Sequence, residues 1–465
     1  MSSILVCPLL SEDVLGLVFA YLSLEEVASV ASRVCRAWCR VCAERVVFDE
    51  IAFSGVSVRL GVMSRLSGAN FVDKRFAWWM DRVRGATRVA FPDVLRWQTV
   101  SLPEHLRLSG DSRTILSVCR LRGLKSLDLR GCRWMPPSSL AHVSKLGGLE
   151  TLMIKGWDLG EHVCLLRKLG SLTHLELSEC VLPEQAGTAT LAAMTGLTLL
   201  NVARVDMVGD EFLAALCALT GLVSLDVSDN DGVTDDGVLA VCRGIPGLEK
   251  LALRGCFEVT SASFASIALL LHLVSLDLSH SVHVPGPTGF DSGLDELLPL
   301  VRLRQLNLAG CGLTDFSLSS LIDSDVGLVS LSVRGAEISD DGLGLIVEYF
   351  QGLKRLDVGD CCYISSAGYL RLGELPELEE LSVEESSELD AAGLGVIGGL
   401  ACLRALDVFG CDNVNEAVAV GLVAGLGCLR SLRTSIVSTK LAAACTVGGL
   451  RLETAHGEVM MREFV

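Results

Sequence analysis

Three groups of residues in this 465-residue chain have types and spacing that could do chemistry. Gly393-Leu394-Gly395-Val396-Ile397-Gly398 reads G-x-G-x-x-G, the spacing of a phosphate-cradling turn between a strand and a helix. These glycines fall well after the last strand-like residue, Val383, inside a helical phrase, so the turn that the motif needs is missing. Cys35, Cys39 and Cys42 can share one helix face, and Cys39-x-x-Cys42 could supply half of a zinc site. No second pair and no nearby His completes the set, so packing is the expected role. His162 and Cys164 stand two residues apart, which does not make a nucleophile and its base. None of the eight His lies in a recognisable catalytic setting. The chain is expected to carry no catalytic residue, no metal and no cofactor, and not to be an enzyme.

A fourth group is periodic. Cys132, Cys180, Cys256, Cys311, Cys361 and Cys411 each stand five residues after the middle Leu of a phrase such as LKSLDLRGC, LEKLALRGC or LRALDVFGC. Other phrases put Trp157, Val205, Asn230, Ser281, Ala336 or Ser386 there. The phrases open at Leu124, Leu149, Leu172, Leu197, Leu222, Leu248, Leu273, Leu303, Leu328, Leu353, Leu378, Leu403 and Leu429, about 25 residues apart. Within a phrase such as LVSLDLSH, Leu276 and Leu278 alternate with Ser275, Asp277 and Ser279, which predicts a strand with one face in and one out. A helical phrase follows, such as DDGVLAVCRGIPGL or DDGLGLIVEYFQGL. Thr234 or Ser339 can cap it, an Asp pair suits its first turn, and Gly247 or Gly352 turns the chain into the next strand. One strand and one helix cannot bury their own Leu face, so the units must stack.

The period, the Cys after the strand and the phrase T-D-D-G-[VL] resemble cysteine-containing leucine-rich repeats, over roughly two thirds of the chain. The resemblance implies an α/β fold, a right-handed curved leucine-rich repeat solenoid over 124–434. Strands would line its concave side and helices its convex side. The periodic Cys read as buried, reduced and structural, which predicts a cytoplasmic or nuclear protein.

Ahead of the repeats, residues 9–45 carry a second signature. Leu10, Val14, Leu15, Val18, Phe19 and Leu22 recur at helical spacing, and Val27, Val30 and Val34 continue a second face that closes with Cys35 and Trp38. The opening Leu-x-x-[DE]-[VL]-[LI], the centre Val18-Phe19-x-Tyr21-Leu22 and the close Val34-Cys35-x-x-Trp38 resemble an F-box. Ser11 stands where that family has Pro, and the interval from Leu22 to Val34 is one residue longer than its common pattern. The resemblance implies a small N-terminal all-α bundle over 1–45 that docks a Skp-type adaptor of a cullin-based (SCF) ubiquitin ligase. Leu10, Val14, Leu15, Val18, Phe19, Leu22, Val34, Cys35 and Trp38 would make the contact. A plain helical cap on the first repeat is the other reading.

Residues 46–123 read as a connector with one or two degenerate repeats. Phe76, Trp78, Trp79, Phe91 and Trp97 would join bundle to solenoid, Trp97-x-x-Val100-x-Leu102 would be a worn strand, and 115–124 its helix. The step from Leu273 to Leu303 carries an insertion, SVHVPGPTGFDSG at 281–293, expected as a rim loop. Past Leu429–Thr434 the pattern lapses into a C-terminal cap, 435–465, with a weak V-x-x-L-x-L at Val447.

Bulk properties limit the partners. Residues 1–100 hold 12 Lys or Arg against 10 Asp or Glu, so of the net −17 the remainder carries −19. Nucleic acid is an unsuitable partner for so acidic an array. No run of 18 uncharged apolar residues occurs, so no membrane span is expected. Glu12 and Asp13, and the lack of an early Lys or Arg, argue against a secretory leader.

The concave face is then the expected recognition surface. The position after the middle Leu carries Asp128, Glu176, Asp226, Asp277, Asp357 and Asp407, with Asn201 and Asn307 between, and two residues on stand Arg130, Lys155, Arg254 and Arg334. Neighbours about 5 Å apart repel in water by only about 1 kcal/mol, so such a ladder survives without a ligand. With Phe409 and Phe257 near the rim, it would form a shallow acidic groove for a basic segment of a protein substrate. The sequence thus predicts the substrate receptor of a cullin-type ligase. An interaction scaffold without ligase link, or a pathogen effector of the same architecture, are the alternatives.

Overall fold

The computed structural model describes residues 51–52, 88–90, 124–130, 136–281, 294–322, 326–436, 438–448, 450–454 and 457–458. The F-box-like stretch, with all nine of its adaptor-contact candidates, the aromatic connector residues, Cys132 and most of the 281–293 insertion lie outside the described residues. The chain divides into two compact units, Met1–Asp158 with Lys168–Leu172, and Leu159–Arg167 with Thr173–Val465.

In the first unit, strands β1 (Ile51–Ala52), β2 (Arg88–Ala90), β3 (Ser126–Asp128) and β4 (Thr151–Met153) pair in parallel, with Ile51 beside Val89, Val89 beside Leu127 and Leu127 beside Leu152. The strand ahead of β3 is therefore Arg88–Ala90, upstream of the Trp97 phrase, which lies outside the described residues. Trp157, at the Cys position of its repeat, is fully buried.

In the second unit the three-residue strands are β5 (His174–Glu176), β6 (Leu199–Asn201), β7 (Ser224–Asp226), β8 (Lys250–Ala252), β9 (Ser275–Asp277), β10 (Gln305–Asn307), β11 (Ser330–Ser332), β12 (Arg355–Asp357), β13 (Glu380–Ser382), β14 (Ala405–Asp407) and β15 (Ser431–Arg433). Each pairs in parallel with the next and sets one middle Leu beside the following one. The ladder runs on past residue 434 into β16 (Arg451–Thr454), where Leu452 meets Leu432, so the weak Val447 phrase does form a repeat strand. The short strand β17 (Gly457–Glu458) then pairs antiparallel to β16. Repeat helices include α1 (Asp210–Leu216), α2 (Asp235–Gly244), α3 (Asp315–Ile322), α4 (Asp340–Tyr349) and α5 (Ala391–Ile397).

Period-two alternation is the cause of the sheet. Leu225, between part-exposed Ser224 and Asp226, is 1% exposed, and Leu222, Val227, Val233, Val238 and Val241 of the same repeat are buried with it. Each such side chain contributes roughly 1.5–3 kcal/mol of hydrophobic stabilisation, available only when a neighbouring repeat covers it.

The phrase T-D-D-G is explained by contacts between repeats. Ser339 caps α4 by accepting the Asp341 N–H at 3.2 Å. Its own N–H and hydroxyl donate to Asp315 of the preceding repeat at 2.9 and 2.6 Å. Asp340 does the same for Ser365 of the following repeat, at 2.7 and 2.6 Å. The pairs Asp210–Thr234 and Asp235–Thr260 repeat the arrangement. Gly237, Gly342 and Gly368 leave room for it. A Cβ at any of them would meet the preceding repeat's Asp oxygen at under 3.0 Å. So the Thr or Ser caps its own helix, the first Asp holds the next cap, and the Gly admits the previous Asp.

The Asn or Cys position also joins repeats. Asn230, 4% exposed, donates Nδ2 to the Val202 carbonyl at 3.1 Å and the Val227 carbonyl at 2.7 Å, and its Oδ1 accepts the Val205 N–H at 2.8 Å. One repeat on, Cys256 Sγ donates to the Val227 carbonyl at 3.4 Å and receives the Asn230 N–H. Cys311, Cys361 and Cys411 donate likewise to Leu278, Val333 and Val383. Cys180, Cys256, Cys311, Cys361 and Cys411 are buried free thiols, as the periodic reading expected. Burial pushes the Cys256 and Cys411 thiols up to about 11 and Cys361 to about 12, which keeps them protonated and able to donate.

Candidate protein-interaction surface

Where the residue after the middle Leu is Asp or Asn, the strand leaves the sheet through a similar turn. The residue after the middle Leu offers a side-chain oxygen to the backbone N–H two residues on. Asn201 accepts from Ala203 at 2.9 Å, Asp226 from Ser228 at 3.0 Å, Asp277 from Ser279 at 2.9 Å, and Asn307 from Ala309 at 3.1 Å. Asp357 accepts from Gly359 at 3.1 Å and Asp407 from Phe409 at 3.0 Å. Glu176, one methylene longer, takes the Ser178 hydroxyl at 3.3 Å. The acidic ladder is thus first a ladder of turn-closing acceptors, which accounts for Asp and Asn at this position without a ligand.

What distinguishes the repeats is the second oxygen. In the first unit, Asp128 is closed by Arg130, which donates to both oxygens at 3.0 and 2.7 Å. In the second unit, Asp226 accepts Asn201 Nδ2 at 2.9 Å, and Asp357 accepts the Ser332 hydroxyl at 3.1 Å. Asp277 also accepts the Ser279 hydroxyl at 2.7 Å, but on the same oxygen that closes its turn. Its Oδ2, and Nδ2 of Asn307 on the next strand, have no partner among the described residues. Lys250 and Arg254 flank Ala252 on β8, exposed, and form no ion pair among the described residues. The centre of the open face, β8 to β10, therefore presents Lys250, Arg254, Asp277 Oδ2 and Asn307 Nδ2 without a partner among the described residues.

Toward the C-terminus, Arg334, Glu384, Asp407 and Arg433 satisfy one another. Arg334 reaches Glu384 two repeats away, across Gly359, whose absent side chain leaves the lane open. Arg433 binds Glu384 at 3.0 Å and Asp407 at 2.7 Å, and its guanidinium lies 4.8 Å from the Phe409 ring centroid. Burial works against ionisation of Glu384, but the hydrogen bonds from Arg433 and Arg334 outweigh it and hold its carboxyl below the ordinary range. Burial pushes the Asp407 carboxyl up, more than the Phe409 N–H and Arg433 pull it down. Desolvation pulls Arg334 down, but the Glu384 hydrogen bond together with the charges of Glu384, Asp357 and Asp360 holds it above its usual value.

A stability effect follows, with its sign fixed. A carboxylate with a lowered folded pKa stabilises the fold above its unfolded value and loses that contribution as pH falls through the folded value. Glu384→Gln should therefore weaken the array at neutral pH, by about 2 kcal/mol for a part-buried carboxylate with two cations. The deficit should shrink as pH drops below the ordinary value of 4.5. Asp407 acts in the opposite sense, and because the Glu384 charge supplies part of its rise, that part is lost in the variant and reduces the pH dependence of the deficit. Urea midpoints of the two proteins along that pH series measure the difference. A deficit that stays constant with pH would exclude the ion pairs as its source.

Of the residues expected to bind substrate, Arg254 and Asp277 lie together at the open centre. Arg334, Asp357, Asp407 and Phe409 belong to the self-paired C-terminal stretch, Asp226 is bonded to Asn201, Glu176 lies on β5, and Asp128 and Arg130 bond each other in the first unit. The sequence reading missed Glu384, Arg433 and Lys250. Aligning the repeats would have placed Arg334, Gly359 and Glu384 in one column, two charges with a gap between them. The Gly393–Gly398 phrase lies on and just past α5, where the Asp390 side chain already takes the Ala392 and Gly393 N–H groups at 3.0 and 2.9 Å, so no phosphate cradle is open there. Among the described residues, no group of three or more His, Cys, Asp or Glu is placed to hold a metal ion, and no helix is long and apolar enough to cross a membrane.

A family model described as Leucine Rich repeat matches residues 219–242, which hold β7 and most of α2. The chain is similar to an internalin (InlF) from Listeria monocytogenes, at 19% identity over 71% of this chain and 95% of that one, with a TM-score of 0.43. It is similar to a chain of the Rad7 and Elc1 complex of yeast, at 19% identity over 73% of this chain and 90% of that one, with a TM-score of 0.45. A leucine-rich repeat protein of Leptospira interrogans matches at 16% identity over 72% of this chain and 91% of that one, with a TM-score of 0.40.

Proposed function

From a chain that is a leucine-rich repeat solenoid, we propose a substrate-recognition subunit of a cullin-type ubiquitin ligase. Residues 9–45 dock a Skp-type adaptor, and the open sheet face holds a protein substrate near Lys250, Arg254, Asp277 and Asn307. The chain itself does no bond chemistry. It brings a target close to an enzyme that does, and a stacked sheet with interlocked caps supplies the stiffness that such positioning needs. The observation that carries the ligase link is the phrase from Leu10 to Trp38, on the N-terminal side of a repeat array. Because the open centre offers both signs of charge, the substrate segment would present carboxylates to Lys250 and Arg254 and a cation or amide donor to Asp277. A purely basic segment suits the face less well than the sequence alone suggested.

Binding of the purified chain to a Skp-type adaptor tests the proposal, with Phe19→Ala and Trp38→Ala as controls. Sub-micromolar binding to the intact chain is expected. Each substitution should weaken it at least about tenfold, the effect of losing roughly 1.4 kcal/mol from an aromatic anchor, while circular dichroism of the repeats stays unchanged. Absence of binding to every adaptor of the source organism would leave the second reading, a leucine-rich repeat interaction scaffold whose N-terminal helices only cap the array. Ser11 and the longer Leu22–Val34 interval favour that second reading.

A further inference from the structure

We propose that Cys402 and Cys428 form a dithiol site that closes to a disulfide on reaction with a low-molecular-weight disulfide such as glutathione disulfide, clasping two adjoining repeats. Both thiols are free and exposed. Each occupies the residue before the first Leu of its repeat, in matching turns closed by Leu403 N–H to Leu400 carbonyl at 3.2 Å and Leu429 N–H to Leu426 carbonyl at 3.1 Å. Three residues on, Ala405 pairs with Ser431, and Arg430 donates its N–H to the Arg404 carbonyl at 2.7 Å. The two cysteines are therefore register neighbours, about one strand spacing of 4.8 Å apart, within the roughly 4.4–6.8 Å Cα range of a disulfide.

A second pair of repeats shows that side chains at this position do meet. His272 and Arg302 hold the same place ahead of Ser275 and Gln305, which pair as Ala405 and Ser431 do, and their side chains are hydrogen-bonded at 2.9 Å. Among the described residues, the other exposed thiols are not arranged this way. Cys256, Cys311, Cys361 and Cys411 are buried and donate to backbone carbonyls. Exposed Cys362 has Glu337 and Ser387 at its place in the adjoining repeats, and exposed Cys164 donates to the Glu161 carbonyl.

The exchange balances. One protein thiolate attacks a sulfur of glutathione disulfide, whose S–S bond breaks and releases one glutathione thiolate. The neighbouring protein thiolate then attacks the protein-side sulfur of the mixed disulfide and releases the second. The two protein thiols give up two protons and two electrons, and one glutathione disulfide becomes two glutathiones. The bridge would tie the approaches to β14 and β15, beside the strands that carry Asp407 and Arg433.

The test treats the full folded chain with glutathione disulfide, blocks residual thiols and maps tryptic peptides without reduction. The expected product has lost two thiols and joins the peptide ending at Arg404 to the peptide ending at Arg430. Cys428→Ser should instead accumulate one glutathione on Cys402, and Cys402→Ser one on Cys428. Separate glutathiones on both cysteines of the unsubstituted chain, reaction of neither, or a cross-link that persists in Cys428→Ser through Cys411, would each overturn the assignment.

Discussion

Asn230→Ala is expected to destabilise the repeat array by about 3 kcal/mol, and Asn230→Cys by only about 1 kcal/mol. Asn230 is buried between repeats and satisfies the Val205 N–H and the Val202 and Val227 carbonyls. Alanine leaves these buried groups without their partner, and each orphaned group costs about 1–3 kcal/mol, partly relieved where the site relaxes. A thiol can replace both functions. Cys256 already receives the N–H of the preceding repeat and donates to its carbonyl, and Cys361 and Cys411 do the same. Denaturation of the full chain in urea measures the difference. If the Cys and Ala variants lost equal stability, the position would be a matter of volume and not of hydrogen bonding.

Gly342→Ala and Gly395→Ala should move stability in opposite directions. An exposed helical Gly usually gains about 0.5–1 kcal/mol on replacement by Ala, because the unfolded chain loses freedom. Gly395 on α5 is such a case, since an added Cβ would meet nothing within 4 Å. Gly342 on α4 is the reverse. Its Cβ would fall on Asp315 Oδ1 and within 3.1 Å of Ile338 Cβ. Moving Asp315 removes the acceptor of the Ser339 N–H and hydroxyl, and so unsettles the cap of α4 as well. The expected loss is about 2–3 kcal/mol, the sum of a lost cap and local overpacking. Thermal or urea unfolding of the two variants reads the sign directly. A gain at Gly342 would mean that the carboxylate between repeats is not what excludes a side chain there.

Interlocking of this kind also bears on the proposed function. A receptor that presents a target to a separate enzyme needs a frame that holds its shape under load, and caps shared between repeats stiffen the array without using its open face. The same economy explains the turn-closing Asp and Asn residues, whose bonded oxygens hold the turns while Asp277 Oδ2 and Asn307 Nδ2 have no partner among the described residues.

The sequence by itself determined the repeat, its period, the strand of each unit and the identity of its buried Leu residues. These follow from local alternation and from the need of each Leu face for a neighbour, and both are written in spacing. It also determined that Thr234 and Ser339 cap helices and that the periodic Cys are interior. The phrase from Leu10 to Trp38 is legible only as a motif. Only the tertiary structure decided which charges on the open face are available. Asp226, Asp277 and Asp357 are indistinguishable in their phrases, yet Asn201 and Ser332 engage two of them and leave the third with an open oxygen. Arg334 and Glu384, 50 residues apart, meet because Gly359 between them has no side chain. The reason is physical. Burial of an apolar face depends on the pattern within one repeat, whereas pairing of a polar atom depends on side chains brought beside it by stacking, at separations no single phrase records.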